Sequence, residues 1–294
     1  MKKNRILLFI VVMLLIPSLL YAFFLRDNAK VEVLILMYHD VREGPVSGNP
    51  WVVSTDTFYH QMETLVSGEY PIITFDDLIA FVDGEIDLPP RVILITFDDG
   101  YQSNLTLAAP ILERFDISAM INVLGVQLGQ STYRHTNIPE IPFFHLEDTI
   151  PWVERGVIFI GHHSYDMHML EYRETPETFR LGILQREDEE DEAYKYAFNQ
   201  DFMRLQTKIE QIIGRPADVF AYPFGFHNEQ TEQLLRELGV RVTLTSEYGI
   251  NVVVRRQRES LFGLRRVNME EHFVDDYLLI QLDMAWDSQN EEDE

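Results

Sequence analysis

The chain contains no cysteine. That excludes disulfides, thiol nucleophiles and every cysteine-ligated metal site, so a metal here must be held by His, Asp, Glu and water. Cationic side chains are scarce as well: 24 Lys and Arg stand against 48 Asp and Glu, for a formal net charge of −24 at pH 7. Holding nucleic-acid phosphates needs clustered Lys and Arg, so this balance argues against a nucleic-acid partner. The acidity reads as a solvated surface. No internal repeat is visible. Apolar residues are plentiful, 46% of 294 positions, which suffices to bury the core of one large domain or two small ones.

The longest hydrophobic run lies at the N-terminus. After "MKKNR" come twenty uncharged residues from Ile6 to Leu25, enough to cross roughly 30 Å of hydrocarbon as a helix. The cationic residues before it keep the N-terminus inside and send the rest out. A cleaved signal peptide is the competing reading, but Leu20-Tyr21-Ala22 fits the small-residue cleavage pattern poorly. The expected division is residues 1–30 as signal-anchor or signal peptide, 31–277 as the main domain and 278–294 as an acidic tail. The main domain is expected on the extracytoplasmic face of the membrane.

Beyond the anchor, short β-branched apolar runs alternate with amphipathic segments. The runs are "VEVLILM" (31–37), "RVILIT" (91–96), "ISAMINVLG", "GVIFIG", "DVFAYP", "VRVTLTS" and "LFGLRRVNM". Continuous runs of this kind suit strands covered on both faces, as in parallel sheets. Helices are predicted over "STDTFYHQMETLVSG", "NLTLAAPILERFD", "EAYKYAFNQDFMRLQTKIEQIIG" and "EQTEQLLRELG", with Gly68 and Gly214 as stops. The alternation predicts an α/β fold, either a barrel or a doubly wound sheet, with functional residues at the C-terminal ends of strands.

Three segments carry chemistry. In "TFDDG", Asp98 and Asp99 would point to opposite faces of an extended strand. They converge on one site only if the backbone bends there, which Gly100 permits; the alternative is a helix N-cap. In "GHHSYDMH", His163 and His168 are five apart, a turn of about 140° on a helix, so they share no helical face. As a loop leaving the strand "GVIFIG" they can still converge, and two imidazoles with one carboxylate make a metal-binding set with open positions. Asp166 between them reads as a loop brace. "FAYPFGFHN" makes a rigid bend that by itself is a plain turn.

In this order the three segments resemble the polysaccharide deacetylases with a NodB-homology domain, carbohydrate esterase family 4. "TFDDG" matches the first motif, "HSYDMH" the second in the spacing of poly-N-acetylglucosamine deacetylases, and "AYPFG" a weaker form of the third. The early "LMYHDV" is similar too, and the likeness spans roughly residues 31–270. It implies a distorted (β/α) barrel and a metal-dependent N-deacetylase of an extracellular acetylated amino-sugar polymer. The polymer would be poly-N-acetylglucosamine, peptidoglycan or a chitin-like chain. Asp98 would be the general base. Asp99, His163 and His168 would bind a divalent metal, zinc first, with cobalt or nickel as substitutes. The backbone amide of Phe224, where relatives carry tyrosine, would serve the oxyanion.

Two departures from the family pattern stand out. Ala221 occupies the place of an arginine that steadies the base, and Arg266 in "LRRVN" is the candidate substitute. The Leu-x-His motif of the general acid is missing, and His272, His162, His39 and His227 each lack its context. The missing acid and Ala221 open a second reading, a catalytically weak glycan-binding envelope protein that keeps the metal site. The chain could otherwise be an acetyl esterase, since an alcohol leaves with less protonation than an amine. Trp51, Trp152, Phe143 and Phe144 are candidates for stacking on sugars, against the commoner packing role.

Overall fold

Seven apolar runs become parallel strands of one sheet. The computed structural model describes residues 29–132, 134, 137–138, 140–169, 180–274, 277–280, 282–284 and 286. In chain order its strands are β1 (Lys30–Tyr38), β2 (Asp40–Arg42), β3 (Val52–Ser54), β4 (Arg91–Asp99) and β5 (Ala119–Val123). They continue with β6 (Ile158–His162), β7 (Val219–Ala221), β8 (Val242–Leu244), β9 (Asn251–Val254) and β10 (Val267–Asn268). The sheet runs β10-β1-β4-β5-β6-β7-β8, every neighbouring pair parallel. β9 lies antiparallel on the first half of β1, and β2 pairs with β3 separately. The sheet curls, and a single parallel bridge between Leu244 and Leu264 spans its two ends. The fold is an α/β half-barrel, which decides between the two architectures that the alternation of elements allowed.

Strand alternation divides the core. Val31, Val33 and Ile35 of β1 pack with Val92 and Leu94 of β4, Met120, Val219, Ala221, Val242 and Leu244. The alternate residues Leu34, Leu36, Tyr38, Ile93, Ile95 and Phe97 face the helices Thr55–Ser67 and Ala109–Arg114. Helix boundaries follow local chemistry. The Ser54 hydroxyl accepts from the Thr57 amide at 3.1 Å to start the first of these helices. A helix over Phe75–Asp83 begins with a reciprocal Thr74–Asp77 capping box and ends on left-handed Gly84.

The expected anchor over 6–25 and the terminal "DSQNEEDE" lie outside the described residues. No described helix is long and apolar enough to cross a membrane. The packed chain runs past residue 277, the boundary expected from composition. Leu278, Leu282 and Trp286 are buried against the core, and Trp286 stacks on Tyr70. Their spacing of four residues places all three on one helical face.

Candidate active site

Asp98 and Asp99 close β4. Asp98 continues the face of Val92, Leu94 and Thr96 and stays on the concave side of the sheet. Asp99 has φ +76° and Gly100 φ +87°, so the alternation breaks at Asp99 itself, one residue earlier than the glycine. A left-handed residue with a Cβ costs about 1–2 kcal/mol. Here the bend turns the second carboxylate toward the same cleft as the first. The N-cap alternative fails: helical residues begin at Gln102, yet the Asp98 oxygens go to Arg266 and Asn122 and Asp99 Oδ1 accepts no hydrogen bond.

The histidines follow β6. His163 extends the β5–β6 ladder through its amide to the Val123 carbonyl at 3.0 Å. Its Nδ1 lies 2.7 Å from the Ala221 carbonyl, which can only accept, so Nδ1 carries the proton and Nε2 a lone pair. The Asp99 Oδ1 lies 3.7 Å from His163 Nε2 and 3.6 Å from His168 Nε2. Burial lowers both imidazoles to about 4, so they are neutral at physiological pH. Asp99 Oδ1 is buried with no hydrogen-bond partner. Three potential ligand atoms thus lie within 4.8 Å of one another, one of them a carboxylate oxygen that no hydrogen bond satisfies. Ligand bonds of about 2.0–2.1 Å at tetrahedral angles set donor atoms about 3.3 Å apart, close to what is found. The donor set fits a divalent cation.

Asp98 is held differently. Arg266, just before β10, is fully buried and clasps it with two bonds, Nη1 to Oδ1 at 2.9 Å and Nη2 to Oδ2 at 2.7 Å. Arg266 Nε donates to the Thr245 carbonyl at 2.7 Å, which fixes the plane of the fork. Burial pushes the Asp98 carboxyl up, yet the Arg266 charge and His163 outweigh it and hold the group well below the usual range. Asn122 on β5 adds a bond to Asp98 Oδ1 at 2.8 Å. A Cβ on Gly161 would come within 2.2 Å of the Asn122 side-chain oxygen, so the bare backbone of β6 makes room for it.

Phe224 sits in the turn Pro223–Gly225 with φ +58°, its ring 4.1 Å from that of His168. Asp98, Asp99, His163, His168, Phe224 and Arg266 all line one cleft of about 470 Å³, in the usual range for small ligands. The strand ends of the parallel sheet converge there. Asp166 lies apart from the ligand set and pairs with Arg134 at 2.7 Å, as a loop brace.

Sequence reading left the remaining histidines undecided, and the structure sorts them. His162 is sealed between Phe202 and Phe220, and burial lowers it to about 3. His227 stacks on Tyr222 and bonds the Gly225 carbonyl. His272 is exposed beside Glu270. His39, at the end of β1, lines the cleft and has a buried Nδ1 with no partner. Its backbone carbonyl accepts from Asn104 at 2.7 Å, which ties it to the segment after the aspartates. Of the aromatics, Phe143 and Phe144 are core, Trp152 lies under Arg155, and Trp51 is 47% exposed at the cleft mouth.

A polysaccharide deacetylase family model matches residues 85–243. A curated Bacillus subtilis protein named for the same family, YxkH, is 24% identical over 245 residues, 83% of this chain and 74% of its own length. Among solved structures, a de-N-acetylase from Aggregatibacter actinomycetemcomitans superposes with TM-score 0.73 at 18% identity. It covers 85% of this chain and 99% of its own. IcaB from Ammonifex degensii superposes with TM-score 0.67 at 22% identity, over 87% and 96% of the two chains. The deacetylase domain of Bordetella bronchiseptica BpsB gives 0.62 at 24% identity, over 80% and 95%.

Proposed function

The chain belongs to the polysaccharide deacetylase family, and from that premise we propose that it removes N-acetyl groups from an acetylated amino-sugar polymer outside the cytoplasmic membrane. The observation that carries the reading is the cleft in which a metal-ready triad, Asp99, His163 and His168, adjoins an arginine-clamped carboxylate, Asp98.

Bound by the triad, a divalent ion, most simply zinc, would supply positive charge for the acetyl carbonyl and acidify a water molecule. Asp98, ionised at neutral pH, takes the proton of the attacking water. The backbone N–H of Phe224 donates to the oxygen that gains charge as the carbonyl carbon becomes tetrahedral. His39 returns a proton to the departing amine; among the described histidines outside the triad it is the one lining the cleft. That placement and the Arg266 clasp favour a deacetylase over a weak binder or an esterase. Membrane attachment through Ile6–Leu25 completes the proposal, and retention in membranes after alkaline carbonate extraction tests it.

Full-length protein supplied with zinc or cobalt is expected to release acetate from acetylated glucosamine oligomers. Chelation should cut the rate at least about a hundredfold, and added metal should restore it. Activity indifferent to chelation would sink the metal role, and turnover of an acetyl ester but no acetamide would point to the esterase.

Trp51 packs edge-on against His39, ring centroids 4.8 Å apart, and its exposed surface flanks the catalytic groups. An aromatic contact of about 0.5–1.5 kcal/mol corresponds to about a two- to tenfold change in binding. Trp51→Ala should raise KM for an oligomer by that factor with kcat nearly kept. An unchanged KM would return Trp51 to a packing role.

A further inference from the structure

His163 and His168 reach their common point from unlike positions. His163 is fixed by the sheet, whereas His168 arrives through the loop Ser164–Met167, which leaves it. Ser164 has φ +67°, a left-handed conformation that its own side chain does not favour. Something outside the loop must hold it there.

Neighbours hold it from three sides. The loop after β5 takes its carbonyls: the Gly125 amide donates to Ser164 at 3.1 Å and the Val126 amide to Tyr165 at 2.7 Å. Arg134 takes the Asp166 side chain. The amides go to side chains from elsewhere. Ser164 N donates to His162 Nδ1 at 3.0 Å, Tyr165 N to Asp201 Oδ1 at 2.8 Å and Asp166 N to Asp201 Oδ2 at 2.7 Å. One carboxylate thus binds two consecutive amides, with an oxygen for each.

Asp201 belongs to the long helix Asp191–Ile213. Its neighbour Phe202 stacks on His162, and the Phe202 carbonyl lies 3.1 Å from His162 Nε2. A single turn of this helix therefore grips the chain on both flanks of His163. Loss of solvent pushes the Asp201 carboxyl up to about 6 even though both amides favour its charged form. A charge kept at such a place costs stability, and the two amides are what it meets there.

We propose that Asp201 is a positioning residue that presets His168 for metal, and so sets the metal affinity of the site. The proposal rests on the metal reading above and deepens it. Groups that orient metal ligands typically contribute ten- to hundredfold in affinity.

The test compares Asp201→Ala with Gln206→Ala in the full-length protein. Gln206 is a buried polar residue of the same helix whose side chain bonds both backbone groups of Ala217, away from the loop Ser164–Met167. Affinity for cobalt alone is measured by competition with a chromophoric chelator, and amide exchange at Tyr165 and Asp166 is followed in metal-free protein. Asp201→Ala should weaken cobalt binding about ten- to hundredfold and expose both amides, while Gln206→Ala should leave cobalt binding within about twofold. Asp201→Asn keeps one acceptor and should fall between. Cobalt affinity in Asp201→Ala within threefold of the parent, or an equal loss in both variants, would overturn the proposal. A parent that binds cobalt tightly while Asp201→Ala does too defeats the anchor alone. A parent that binds none defeats the metal reading and the anchor with it.

Discussion

Asp98→Asn is expected to lower acetate release by about 10³-fold while leaving metal affinity within a few-fold of the parent. The amide keeps the size of the carboxylate but cannot take a proton from water. Metal affinity should survive because Asp98 lies outside the Asp99, His163 and His168 set. The fold should survive as well, at a cost. Arg266 loses its counter-charge in a buried place, and breaking such a pair costs about 3–5 kcal/mol. Part of that is recovered, since an amide oxygen at position 98 still accepts from the guanidinium. Asn122 can also turn its unpartnered Oδ1 toward the new NH₂. Single-turnover rates with zinc, alongside cobalt titration, separate the two effects. Activity within tenfold of the parent would remove Asp98 from the chemistry.

Arg266→Met should be more damaging to the fold and different in its pH dependence. In the parent, the folded-state pKa of Asp98 lies below the unfolded value. The pair therefore stabilises the fold above the ordinary aspartate range, and that stability is lost as pH falls toward the folded-state value. Without Arg266, the burial that opposed the arginine is left to dominate, and the shift reverses. Asp98 then costs stability when ionised, so the variant becomes relatively more stable as pH falls through its raised pKa. Unfolding at pH 7–8 should cost about 3–5 kcal/mol less than in the parent. The acidic limb of kcat/KM, which reports ionisation of the base, should move to higher pH. Arg266→Lys would restore the charge without the fork and give an intermediate shift. An acidic limb that does not move in Arg266→Met would show that the arginine has no hold on the base.

Much of this was written locally. The seven parallel strands were legible because each is apolar on both faces, and two of the helices because a glycine, Gly68 or Gly214, ends a periodic run. Helix Phe75–Asp83 carried its signal too, a Thr-x-x-Asp box and a terminal Gly84, but it is short and its apolar residues run almost together. β9 was hidden by its length and by Asn251, whose amide reaches the Val33 and Arg265 carbonyls instead of solvent. In the site, the aspartates and histidines announce themselves by spacing. Arg266 was readable from its place at a strand end. His39, Asn122 and Asp201 were not, because their parts in the site depend on neighbours far off in sequence. β1 must lie beside β4 before His39 can face Asp98. A helix residue must cross to the loop before Asp201 has amides to meet.

The placement of β1 also sets an order of assembly. Its partners are β4 on one edge and, on the other, β9 and β10 from the far end of the domain, with Leu36 opposite Val267. Pairings so distant in the chain close late, since the loop entropy is spent before any contact repays it. The metal triad spans residues 99–168 and can form once β4, β5 and β6 have met. The clasp on Asp98 waits for residue 266. A nascent or clipped chain ending between those points would carry a cation cradle with an unclamped carboxylate beside it and a bare edge on β1. On the proposed chemistry, competence is thus tied to the final docking step, when the last strand of the sheet brings its arginine to the base.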